Sequence, residues 1–363
     1  MPKRSTIFIP VLALVLAACN GTAETTTTTS VAPTTSTTAA PPAEAVLLSY
    51  TLAAGDGFQY EVGLDQHIEL EASGDAAAMG EEEIPGQASV DITGTAVFSH
   101  EVAAGPEEGT FEIHITGNFD DVAVTGTVDG EPIDTSEVPD FAAMEPIDVT
   151  VVVDEQGNVI SSGGEDVEDP LGGLFEGLGS MGGGAPAPGL DPGQFFGPLL
   201  SDEEVAVGDT WSDEIESPGL GEEPIVTSVT NTISGVEQLD GAEVLVIETI
   251  STTSPIEFDL AEFFRGLFGA FIPEEATAEE TAEFEDLMGE LRFLISIDDT
   301  SSSGTTRFDA GAGTARQSDV TAGTHIVMDM MIPDDTTGDL IGFQMEMSID
   351  QDISYQLISS TSA

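Results

Sequence analysis

The chain has 363 residues, 40% of them hydrophobic, and a formal net charge of −62 from 68 acidic and six basic side chains. That apolar share is enough for a packed core and separates the chain from disordered acidic tails. Charge of this sign and density repels DNA, RNA and anionic headgroups, which need Lys and Arg to neutralise phosphate, so nucleic-acid binding is excluded.

Lys3 and Arg4 precede an apolar run from Ile7 to Leu16, and the small residues Ala17 and Ala18 lead into Cys19. A run of this length is the h-region of an export signal and is too short to span a bilayer as a mature helix. Leu16-Ala17-Ala18-Cys19 resembles the lipobox of bacterial lipoproteins. The resemblance implies that residues 1–18 are removed, that Cys19 is diacylated on sulfur, and that it becomes the first mature residue. The alternative is an ordinary signal peptide with an unrelated cysteine nearby. Two acyl chains suffice for stable anchoring where one is marginal. Cys19 is the sole cysteine, so the rest of the chain holds no disulfide. Without the signal, four arginines, Arg265, Arg292, Arg307 and Arg316, face all the carboxylates.

Residues 19–45 form a linker. From Asn20 onward it is Thr, Ala, Pro and Ser with almost no large apolar side chain. Such a stretch is extended, and at ~3 Å per residue it holds the folded part of the chain up to roughly 70 Å from the membrane. Its hydroxyls are O-glycan acceptors or an unmodified stalk. Residues 46–363 are then an acidic domain on the extracytoplasmic face of the cell membrane.

Within that domain polar and apolar residues alternate, the period of a half-buried strand. The runs are Phe58 to Leu70, Ser89 to Val102, Thr110 to Thr116, Val122 to Val128 and Ile147 to Val153. They resume at Ile225 to Val236, Val244 to Thr252, Leu291 to Ile297, Gly323 to Met331 and Phe343 to Leu357. Short turns such as Ala104-Gly105-Pro106 and Leu239-Asp240-Gly241 favour an antiparallel meander. The expected fold is mostly β, a large antiparallel curved sheet or open barrel.

Two marks recur in the same order. Gly55-Asp56-Gly57-Phe58 and Gly208-Asp209-Thr210-Trp211 each precede a strand, and about a hundred residues later each is followed by a strand-turn-strand signal, at Asp154 to Gly157 and at Asp309 to Gly311. The spacing suggests an internal duplication with halves 46–200 and 201–363.

Three Phe-rich stretches break the alternation with helical spacing: Pro170 to Met181, Pro192 to Leu200 and Phe258 to Ile272. Short helical inserts that must bury an apolar stripe find it on the concave face of a sheet, where they form a lid. Phe175, Phe195, Phe196, Phe263, Phe264, Leu267, Phe268 and Phe271 are the candidate pocket lining, with simple core packing as the alternative.

Catalytic signatures are missing. The sequence has no Gly-x-Ser-x-Gly elbow, paired zinc-protease histidines, P-loop or cysteine pair, so neither an enzyme nor a cofactor is expected. His67, His100, His114 and His325 are scattered over strands and read as structural. Asp335 to Glu346 has the length of a calcium loop but carries Leu340 where the turn demands glycine. Trp211 reads as a packing anchor, and Met328, Met330, Met345 and Met347 as core filler or an adaptable cavity wall.

Two functions remain. A tethered lipoprotein with long antiparallel strands and apolar inserts is similar to the open barrels of LolA/LppX type, which implies binding or carrying a lipid or other hydrophobic ligand. The other reading is a non-enzymatic envelope module for adhesion or assembly with a protein partner.

Overall fold

The computed structural model describes residues 45–74, 86–119, 121–133, 147–163, 198–217, 225–259, 292–333 and 340–361. Among these residues every regular element is a β-strand. The first half contributes β1 (Val46–Leu47), β2 (Gly57–Gly74), β3 (Gln87–Ala104), β4 (Thr110–Phe119), β5 (Ala123–Val128), β6 (Glu131–Pro132), β7 (Ile147–Asp154) and β8 (Val159–Gly163). The second contributes β9 (Glu204–Val205), β10 (Thr210–Ser217), β11 (Ile225–Leu239), β12 (Ala242–Thr253), β13 (Ile256–Asp259), β14 (Arg292–Asp309), β15 (Thr314–Pro333) and β16 (Leu340–Thr361).

Fourteen strands form one antiparallel sheet in the order β10-β11-β12-β14-β15-β16-β2-β3-β4-β7-β8, with β13 on β14 and with β5, which carries β6, on β3 as side ladders. The sheet is open, with β10 and β8 at its edges. Strict alternation sets one face inward. On β2 the buried positions are Phe58, Tyr60, Val62, Gln66, Ile68 and Leu70, and the residues between them are mostly exposed. Register carries the same face across the sheet, with Tyr60 opposite Phe98 on one side and Leu357 on the other.

Two five-strand runs, called repeats below, each follow one of the recurring turn marks. Strands β2-β3-β4-β7-β8 and β10-β11-β12-β14-β15 follow one another in the same spatial order. Their entry turns match bond for bond. Asp56 Oδ2 accepts from Ala53 N at 2.8 Å, and Asp209 Oδ2 accepts from Ala206 N at 2.8 Å. Gly55 N donates to Val102 O, and Gly208 N to Ile233 O, both at 2.8 Å. Gly55 and Gly208 stand at φ 99° and 98°, which explains glycine before the aspartate in each. The later turns share their first bond, to the backbone N–H two residues on, and differ in the second. Asp154 Oδ1 accepts from Gln156 N and Asn158 N, and Asp309 Oδ1 from Gly311 N and Ala312 N.

One end of the concave face is filled by the two segments that lead into the repeats. Strand β1 pairs with β9, and Leu48, Tyr50, Leu52, Leu200 and Val205 join the first apolar core with Phe58, Phe98, Ile113, Ile247 and Phe308. These segments are tied to the turns around them. Tyr50 N donates to Glu155 O, Thr51 N to Gly313 O, Leu200 N to Gln156 O, and the Tyr50 hydroxyl to Pro198 O. Tyr50 meets Phe308 edge-on at 5.5 Å.

Two details of the helical reading are corrected. Phe258 does not begin a helix, because Ile256–Asp259 is a strand whose Phe258 sits opposite Ile295. Leu199 and Leu200 do not end one either, since Pro198 to Leu200 is irregular chain in the plug. The rest of the three Phe-rich stretches lies outside the described residues.

Candidate functional site

The inner face divides into three zones. Beyond the plugged core lies a second apolar cluster, Ile68, Ile92, Ile295, Ile297, Ile326, Met328, Met347 and Ile349, drawn from five strands, β2, β3, β14, β15 and β16, with Met345 and Phe293 packed on it. Of the methionines of β15 and β16, Met328 and Met347 belong to this cluster and Met345 packs on it, with Met328 opposite Met345.

Between the clusters a belt of hydroxyl and amide side chains crosses β11 to β15. Most of it is satisfied within itself. Thr227 and Thr253 hydroxyls are 2.9 Å apart, Ser251 and Ser302 2.6 Å, and Thr306 and Ser318 2.9 Å. Thr249 Oγ1 donates to Asn231 Oδ1 at 2.7 Å. Gln66 and Gln351, opposite each other on β2 and β16, extend the polar zone. Thr300 and Thr324 differ from the rest: both hydroxyls are buried and neither has a hydrogen-bond partner. Both fall within the register shift of the β14–β15 ladder, between the pairs Asp298–His325 and Ser301–Gly323, where a bulge in β14 leaves Thr300 buried. Sequence reasoning missed the belt. Its one signal was the run Thr300 to Thr306, in which Ser, Thr and Gly replace the expected apolar alternation.

The histidines stay apart, as the sequence suggested. His67 on the outer face holds Asp91 at 2.7 Å and Glu69 at 3.4 Å, and the hydrogen bond to Asp91 raises its pKa against a smaller effect of burial. His114 meets Asp148 at 2.6 Å, and His325 Nδ1 lies 3.2 Å from Ser348 Oγ. His100 is buried on the inner face beside Tyr60, ring centroids 5.0 Å apart, and burial pushes its pKa down to about 3. Among the described residues no group of three His, Cys, Asp or Glu is placed to hold a metal ion. Trp211 is half-buried, packs on the plugged core and donates to Leu199 O at 2.9 Å, an anchoring role.

The outer face carries an open groove of about 420 Å³, lined in part by Asp65, Asp121, Asp319 and Asp352. Thr321 Oγ1 donates to Asp352 Oδ1 at 2.6 Å, and Asp65 lies directly opposite Asp352 in the ladder.

No family model and no curated protein matches the chain. Among solved structures it is similar to a lipovitellin chain, from a structure concerned with lipid–protein interactions in lipovitellin, at 11% identity and a TM-score of 0.34. That match covers 86% of this chain but spans only 26% of the lipovitellin chain. DynF of the dynemicin biosynthesis pathway of Micromonospora chersina matches at 7% identity and a TM-score of 0.15, over 89% of this chain and 92% of its own. Similarity at this level assigns no family.

The proposed anchor Cys19 and the expected pocket residues Phe175, Phe195, Phe196, Phe263, Phe264, Leu267, Phe268 and Phe271 lie outside the described residues. Among the described residues no helix is long and apolar enough to cross a membrane.

Proposed function

We propose that the chain is an extracytoplasmic lipoprotein, held to the cell membrane through Cys19, that binds a hydrophobic ligand on the concave face of its sheet. The observation that carries this reading is the second apolar cluster, a continuous patch of isoleucine and methionine on five strands at the end of the face away from the plug. The plugged end needs no ligand, because Leu48, Tyr50, Leu52 and Leu200 already fill it. A patch of branched and unbranched apolar side chains on a rigid sheet suits an acyl chain, which gains about 0.8 kcal/mol per methylene removed from water. Methionine adds a wall that adjusts to chain shape.

The residues of this cluster are themselves buried, Met347 and Ile349 to 1% exposure, and that favours the rival reading of a filled envelope module. The two separate in one experiment. The chain is purified, stripped of lipid with organic solvent under conditions that preserve its β circular dichroism, and mixed with an apolar fluorescent probe. Saturable enhancement, together with lipid recovered by mass spectrometry before stripping, supports carriage. A chain that carries no lipid and leaves the probe unshifted is a filled module.

A further inference from the structure

We infer that Thr300 and Thr324 form a headgroup subsite, and that the ligand is an uncharged amphiphile, an acyl chain joined to a hydroxyl- or ester-bearing group. This rests on the ligand-binding reading above and names the class of ligand. Thr300 and Thr324 are 4% and 1% exposed, and their hydroxyls are unpartnered. Buried hydroxyls left unpaired are costly, and native chains rarely keep them without a water, ion or ligand to meet them. The neighbouring pairs Thr227–Thr253 and Ser251–Ser302 show that the belt satisfies itself wherever it can.

The position of the pair points the same way. Thr324 stands directly opposite Ile349, and Ile297 and Ile326 are members of the same apolar cluster on the strands that carry the two threonines. A ligand with its chain on the cluster therefore brings its polar end to these hydroxyls. A hydroxyl is donor and acceptor at once, so the pair serves an ester carbonyl or an alcohol equally well.

The charge of the ligand is set by the surroundings of the pair. Arg316 is bound to Asp309 at 2.7 Å, Arg307 to Glu237 and Asp319, and Arg292 is exposed. Among the described residues no arginine is left to neutralise a carboxylate or phosphate at the belt, and the net charge of −62 opposes either.

The test uses the lipid-stripped full chain and three probes of matched chain length: monoolein, oleate at mild alkaline pH, and 1-octadecene. Monoolein is expected to bind about tenfold more tightly than oleate. The double variant Thr300→Val with Thr324→Val keeps shape and removes both hydroxyls. It should weaken monoolein about tenfold, the worth of one or two hydrogen bonds, and leave octadecene unchanged. The empty variant should melt no lower than the parent, since an unpaired buried hydroxyl has been deleted. Unchanged monoolein affinity, or a lower melting point with octadecene binding intact, assigns the hydroxyls to a structural water and overturns the inference. Failure of all three probes to bind the parent chain removes the ligand-binding reading itself.

Discussion

His100 gives the most quantitative test of the packing. It sits on β3 at 1% exposure, between the ladders to β2 and β4, with its ring against Tyr60. Burial holds its pKa at about 3, far below the usual imidazole value of 6.5. A base whose pKa is depressed on folding contributes stability that is fully present above the unfolded pKa and is lost as pH falls toward the folded one. Between pH 7 and pH 5 the unfolded chain takes up about three-quarters of a proton at this site and the folded chain takes up almost none. Linkage then removes about 2 kcal/mol over that interval, and about 5 kcal/mol by the time pH passes below 3. The assay is urea unfolding followed by the single tryptophan, Trp211, at both pH values and in molar KCl, which screens the carboxylates common to all variants. In His100→Gln the loss between pH 7 and pH 5 should shrink by about 2 kcal/mol, whatever the variant does to stability at pH 7. Parallel pH dependence of parent and variant would refute the argument.

Other outcomes rest on the same geometry. Asp65 opposes Asp352 and Glu71 opposes Glu346 across the β2–β16 ladder, so melting temperature should rise from millimolar to molar KCl, and Glu346→Gln should flatten that rise; a fall with salt contradicts the reading. Gly313→Ala should cost about 2–4 kcal/mol by chemical denaturation, because φ is +62° and a methyl there meets Thr51, the residue that ties the plug to this turn. Asp56→Ala should cost about 1–3 kcal/mol and Asp209→Ala less than about 1 kcal/mol, since the two make the same bond but only Asp56 is buried. Cys19→Ser should move the chain from the membrane fraction to the soluble fraction, and retention would remove the anchor.

Period-two alternation is a direct imprint of one buried face, so every strand expected between Phe58 and Leu357 is present in the structure. What alternation could not reveal was strand made of hydroxyls. Residues 300–309 of β14 and 314–322 of β15 hid because Thr300, Thr306 and Ser318 face inward where an apolar residue was the expected marker. The same blindness concealed the polar belt, for an inward threonine and a solvated one look identical in sequence. Phe258 misled for the opposite reason. Bulky residues crowd after it, so a helical period begins wherever counting starts, although Ile256 and Phe258 also fit a strand. The plug residues Leu48, Tyr50 and Leu52 do alternate, but they adjoin the Thr/Pro stretch and carry no turn signal before Gly55. The Asp turns were readable because glycine at positive φ beside a capping carboxylate is a local requirement, independent of distant packing.

The last strand has a topological explanation that the repeats supply. Each repeat contributes five antiparallel strands, an odd number, so its first and last strands run the same way. Set side by side in tandem, β15 of one repeat and β2 of the other would meet as parallel neighbours, a pairing that forfeits the regular antiparallel ladder. Among the described strands, β16 is the only long one without a counterpart in the first repeat, and it lies between the repeats, antiparallel to both. Twenty-two residues long, it converts two like-oriented halves into one continuous sheet. Because the halves keep the same orientation, both entry turns fall at one end, and the segments before them meet there as β1 and β9. The plug is thus a consequence of tandem repetition plus one adapter strand. The same arithmetic leaves the opposite end of the concave face without a second pair of entry segments, and that is where the apolar cluster of Ile68, Ile326 and Met347 lies.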